Sequence, residues 1–152
     1  MGKINLGRVI LGGLLAGVVI NIFEGVLNGA ILASQWDAVM KTLGQHAMST
    51  KQVVAFNLWG FAIGILTVWL YAAMRTRMGA GAKTAMCAGL FVWATAYAAG
   101  AFAPVITHVY PLNLVATALA VEIPEMLIAA VAGAWLYKED AADTARASAA
   151  GA

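Results

Sequence analysis

Apolar residues dominate four long stretches of the chain, and charged residues fall almost wholly between them. Val9 to Phe23 is uncharged, and after Glu24 the run resumes as far as Trp36. Gln52 to Met74 and Met126 to Tyr137 carry no charge, and neither does the long stretch from Thr84 to Val121. Crossing about 30 Å of hydrocarbon takes roughly 20 apolar residues. The third stretch must therefore be broken once. The break falls at Ala103 to Pro111, which holds two prolines and a histidine. This pattern predicts an all-α, four-transmembrane-helix bundle with helices at about 8–33, 53–74, 81–103 and 113–137. Residues 1–137 form that domain, and 138–152 read as a flexible polar tail.

Between the first two helices, Trp36, Val39, Met40, Leu43 and Ala47 repeat at helical spacing. They predict a short amphipathic helix on the outer membrane face, with Ser34 to Asp37 able to cap its start. An ordinary linker helix explains the same pattern. A cleaved secretory signal does not explain the first helix. Its apolar stretch is too long and contains Glu24 and two asparagines.

Composition supports the membrane assignment, with 62% hydrophobic and 11% charged residues. The net charge of +2 matters only through its placement. Lys3, Arg8, Arg75, Arg77, Lys83, Lys138 and Arg146 fall on one predicted side, and Lys41 and Lys51 on the other. Such asymmetry predicts both termini in the cytoplasm, and a bacterial inner membrane is the expected location. No nucleic-acid partner is implied. Cys87 is the single cysteine, which excludes an intrachain disulfide and a cysteine-cluster metal site. Trp69-Leu-Tyr71 and Trp135-Leu-Tyr137 end the second and fourth helices alike. Related hairpins would explain this, but so would interfacial anchoring.

Three of the seven acidic residues interrupt this picture: Glu24, Glu122 and Glu125 lie at membrane depth. A carboxylate there costs a few kcal/mol or more unless it faces protein, water or a partner. At 100° per residue, Gly13, Gly17, Asn21, Glu24 and Asn28 share one stripe of the first helix. Small residues at spacing four invite close approach of another helix. Asn57, Gly60, Gly64, Thr67 and Tyr71 repeat this logic on the second helix, and Glu122 and Glu125 share a side with Ala118 and Ala129 on the fourth. Pro124 lies between those glutamates, where it removes a backbone donor and frees the carbonyl near residue 120. Counting about 1.5 Å per residue puts Glu24 and Glu122 roughly 5–6 Å outside the midplane and Glu125 near it. The candidate polar cluster is therefore Asn21, Glu24, Asn28, Asn57, Glu122 and Glu125, with His108, Tyr110 and Asn113 at an outer mouth. A pocket closed on the cytoplasmic side fits this better than a continuous pore.

Two functional classes follow. Protonated glutamates and asparagines can act as interhelical glue, which suits an accessory or assembly subunit of a membrane complex or a homo-oligomer. That reading is preferred, because small four-helix chains seldom enclose a substrate path alone. Alternatively, carboxylates gathered at depth hold protons that exchange with water or a cation, as in a proton- or cation-coupled transporter. A lipid-acting enzyme has least support, since no nucleophile, phosphate-loop or metal-ligand motif occurs. No cofactor is expected, and the lack of a mid-helix histidine disfavours haem.

Two further segments carry a resemblance: the Gly-rich first helix running into Trp36-Asp-Ala-Val-Met-Lys-Thr-Leu-Gly44, and the third helix leading through Pro111-Leu-Asn-Leu114 into the fourth. In these the chain resembles a bacterial family of small four-helix integral membrane proteins of unknown function. The resemblance implies fold and topology alone, and carries no role for the buried glutamates.

Overall fold

A computed structural model describes residues 4–138. The expected tail, apart from Lys138, lies outside the described residues. Six α-helical segments follow one another: α1 (Leu6–Val26), α2 (Ala33–Thr42), α3 (Thr50–Met78), α4 (Ala82–Val92), α5 (Ala99–Ile106) and α6 (Leu112–Leu136). A π-helical turn, Leu27–Ile31, extends α1, and a second, Trp93–Ala98, joins α4 to α5 without a break. The described residues include no strand. Four continuous spans result, Leu6–Ile31, Thr50–Met78, Ala82–Ile106 and Leu112–Leu136, each 25 residues or longer. At about 1.5 Å per residue each exceeds the hydrocarbon thickness. Large apolar side chains such as Phe56, Trp59, Phe91, Phe102 and Trp135 point outward. This is a multi-pass membrane protein.

Local chemistry explains where the ends differ from the sequence expectation. Asn5 accepts a hydrogen bond from the Arg8 backbone N–H, so α1 starts two residues early, at Leu6. Ser49 and Gln52 form a reciprocal capping box, which starts α3 at Thr50. Gly79 and Gly81 take φ of 83° and 138° between α3 and α4, angles that suit a residue without a Cβ. The expected cap at Ser34 is not used. Only Leu32 separates the π turn from α2, and its N–H returns to the Leu27 carbonyl at 2.7 Å. The third span does not stop at Ala103. It continues through Pro104 to Ile106, and the Pro104 carbonyl then accepts from Val109 and Tyr110.

The core forms where the small-residue stripes meet. α1 packs against α3 and α6, and α4 against α6 and α3. A Cβ added at Gly64 of α3 would lie 2.5 Å from the Gly17 backbone nitrogen, so the two helices meet almost backbone to backbone. Ala16, Val68, Ala85, Ala88, Met126 and Ala129 fill the interior around that contact. At one end, Tyr71 and Tyr137 meet edge to face at 6.0 Å, and the Arg75 guanidinium lies over both rings. The paired Trp-Leu-Tyr motifs thus converge, with tyrosines inward and tryptophans outward.

Candidate functional site

Glu122 and Glu125 lie in the bundle interior, with Glu24 within electrostatic reach of both. Glu122 and Glu125 stand one turn apart on the packed face of α6, 7% and 0% exposed. Half-buried Glu24 on α1 is close enough to both for their charges to repel. Neither Glu125 oxygen meets a donor in full hydrogen-bond geometry, although the Tyr97 hydroxyl faces that side chain, and Glu122 Oε2 has no partner. Buried carboxylate oxygens are normally satisfied, and leaving one orphaned costs about 1–3 kcal/mol or more. No basic residue lies between Lys83 and His108 or between His108 and Lys138 to neutralise them from the third or fourth span. Among the described residues, no three His, Cys, Asp or Glu side chains converge as a metal-ion site. The arrangement suits protons, which neutralise carboxylates one at a time, better than a coordinated metal ion.

Both π turns border this cluster. Asn28, in the first, donates through Nδ2 to Glu24 Oε2. Its Oδ1 accepts from Trp36 Nε1 at 2.7 Å. Tyr97, in the second, turns its hydroxyl toward Glu125. Trp93, in that same turn, donates to the Leu119 carbonyl at 3.2 Å, one residue before the carbonyl that Pro124 deprives of its partner. A π turn inserts an extra residue and re-aims the side chains around it, and such turns recur at functional sites. Here the re-aimed residues are those that meet the carboxylates.

Two predicted members stand apart. Asn21 Nδ2 donates to the Asn57 carbonyl at 3.1 Å, while the exposed Asn57 side chain bonds back to Val53 on its own helix. They tie α1 to α3 and do not meet the carboxylates through any hydrogen bond. Of the mouth residues, Tyr110 packs edge to face on Trp36 at 5.4 Å. His108, with φ of 56°, and Asn113 line a cavity of about 500 Å³ facing Gln35 and Thr42 of α2. Along α6, Leu114 lines this cavity, and Ala118 and Val121 lie between it and Glu122.

Trp36 and Tyr97 are absent from the site read from sequence. Tyr97 carried a signal, being a phenol well inside an apolar span and away from the interfaces where tyrosine collects. Trp36 carried none beyond its place on an amphipathic face. No family model, curated protein or solved structure matches the chain.

Proposed function

We propose that the protein is a proton-handling membrane bundle whose Glu24, Glu122 and Glu125 hold exchangeable protons. One observation carries this reading: three carboxylate oxygens of Glu122 and Glu125 are buried without a donor in full hydrogen-bond geometry. A carboxylate serving only as interhelical glue would be spending its oxygens on neighbouring helices. Glu122 Oε2 has no partner, and Glu125 is met only loosely, by the Tyr97 hydroxyl, at a depth where an unneutralised charge is costly. Tyr97 supplies a hydroxyl beside Glu125 that can donate or accept a hydrogen bond. A proton-coupled transport role follows. The basic residues Arg8, Arg75, Arg77, Lys83 and Lys138 support a cytoplasmic location for the end where Tyr71 and Tyr137 meet. A bacterial inner membrane remains the proposed location, with α2 lying at the outer face.

Assembly into a homo-oligomer or larger complex is the second reading. Its support is the third span, of which 11% is buried within the chain against 44% for the fourth. One set of measurements separates the two. Glu24, Glu122 and Glu125 are replaced singly by Gln, and pH-driven flux in liposomes is compared with oligomer stability in detergent. Lost flux with an unchanged oligomeric state supports proton handling. Unchanged flux with a lost oligomer overturns it in favour of assembly.

A further inference from the structure

Trp36, outside the four spans, is tied to Glu24 through a single amide, that of Asn28. An indole N–H can only donate a hydrogen bond. The Asn28 oxygen must therefore face Trp36, which leaves the Asn28 nitrogen to face Glu24. Glu24 Oε2 is then required to accept. This chain of bonds cannot carry a proton, because neither the indole nor the amide titrates in the ordinary range. It can respond to one.

We propose that Asn28, acting through Trp36, couples the docking of α2 to the proton on Glu24, an inference that rests on the cluster being proton-exchanging. When Glu24 Oε2 takes a proton it becomes a donor, and the Asn28 N–H faces an O–H. Turning the amide to accept that O–H sets its NH₂ against the Trp36 N–H, donor against donor. If Glu24 instead offers its carbonyl oxygen, the bond to Asn28 persists as a neutral one, about half as strong as the charge-assisted bond it replaces. Either way the chain from Glu24 to α2 weakens, at the Asn28–Trp36 bond in the first case and at the Glu24–Asn28 bond in the second.

Helix α2 has little else to hold it. Val39 is its only buried residue, and Leu32 alone links it to the π turn. Val39 sits in a small apolar cluster with Leu27, Leu32, Leu114 and Ala118, and Trp36 meets Tyr110 edge to face at its margin, beside the cavity of about 500 Å³ that α2 walls. Loosening α2 would widen that cavity, since Gln35, Ala38, Val39 and Thr42 form its α2 side. Other groups share the field at Glu24: Glu122 and Glu125 from α6 and Tyr97 from the second π turn. The α3 helix brings no titratable side chain between Lys51 and Tyr71, and α2 carries Asp37 next to Trp36. The glutamates compete for the same protons, so the test must isolate Glu24.

In a Cys87→Ser background, Lys41→Cys on α2 and Leu112→Cys across the cavity, both exposed, carry spin labels. Their separation is measured by pulsed electron resonance in liposomes at neutral and mildly acidic pH. We expect one narrow distance population at neutral pH and its loss to a broad one on acidification. Glu24→Gln, which offers a carbonyl and never titrates, should keep one distribution at both pH values. Trp36→Phe should give the broad distribution throughout. A distance indifferent to pH, or a pH response that survives Glu24→Gln, overturns the coupling. Infrared detection of the Glu24 carboxyl, assigned by its loss in Glu24→Gln, separates the two levels of failure. A Glu24 band that titrates above an immobile α2 removes the coupling alone, whereas no titrating band removes Glu24 from the proton-handling site as well.

Discussion

Glu122 and Glu125 stand one turn apart on the same buried face of α6, and between them leave three oxygens without a donor in full hydrogen-bond geometry. An arrangement so poorly satisfied destabilises the fold. Replacing Glu125 by Met together with Tyr97 by Phe, so that no buried polar group is left facing an apolar one, should therefore raise stability by about 1–3 kcal/mol. Thermal unfolding in detergent checks this, and pH-driven flux should be lost in the same variant. A lower melting temperature would mean that Glu125 and Tyr97 hold the helices together.

The contact between α1 and α3 depends on small residues. Gly64→Ala would drive a Cβ into the Gly17 backbone and should cost about 1–3 kcal/mol. Gly100→Ala offers the contrast, since nothing lies within 4 Å of its added Cβ. There the better helix propensity of Ala should leave stability unchanged or raise it by up to about 1 kcal/mol. Equal losses in both variants, measured by denaturation in detergent, would contradict the packing described.

Much of this was legible in the chain. Uninterrupted apolar runs gave the four spans to within a few residues, because hydrocarbon imposes a length and tolerates few charges. Helical phase put Gly13 and Gly17 on a face that another helix approaches, which proves to be α3, and Glu122 and Glu125 on one side of the fourth helix, which proves to be packed. The π turns were not legible. An extra residue in a helix is settled by what the surrounding side chains can reach, and Leu27–Ile31 and Trp93–Ala98 carry no local signature of it. Missing those turns hid the contacts of Asn28, Trp36 and Tyr97. Asn57 misled for the opposite reason. Its helical phase was sound, but its amide bonds to Val53 within its own helix.

Trp93 and Pro124 should be energetically coupled. The indole N–H bonds the Leu119 carbonyl in the turn that Pro124 opens. Trp93→Phe should cost about 1 kcal/mol in the native background. In Pro124→Ala, where the restored N–H can close the helix, the cost should shrink. A double-mutant cycle of unfolding free energies reads the difference, and an additive result would separate the two residues.

At the opposite end, Arg75 lies 5.9 Å from the Tyr71 ring centroid and 5.2 Å from that of Tyr137. Arg75→Gln should lose about 0.5–1 kcal/mol for each cation–π contact removed. Replacing both tyrosines by Leu should make the same change at Arg75 cost less. Detergent unfolding of the four variants checks it.

The central claim is that Glu122 and Glu125 hold exchangeable protons, and infrared spectra of the protein in liposomes test it most directly. Spectra are compared in H₂O and D₂O for the native chain, Glu122→Gln and Glu125→Gln. The expected result is a set of protonated-carboxyl bands that shift in D₂O, with one band missing in each variant. Carboxyl bands that never exchange, or spectra with no protonated carboxyl at either residue, would contradict it.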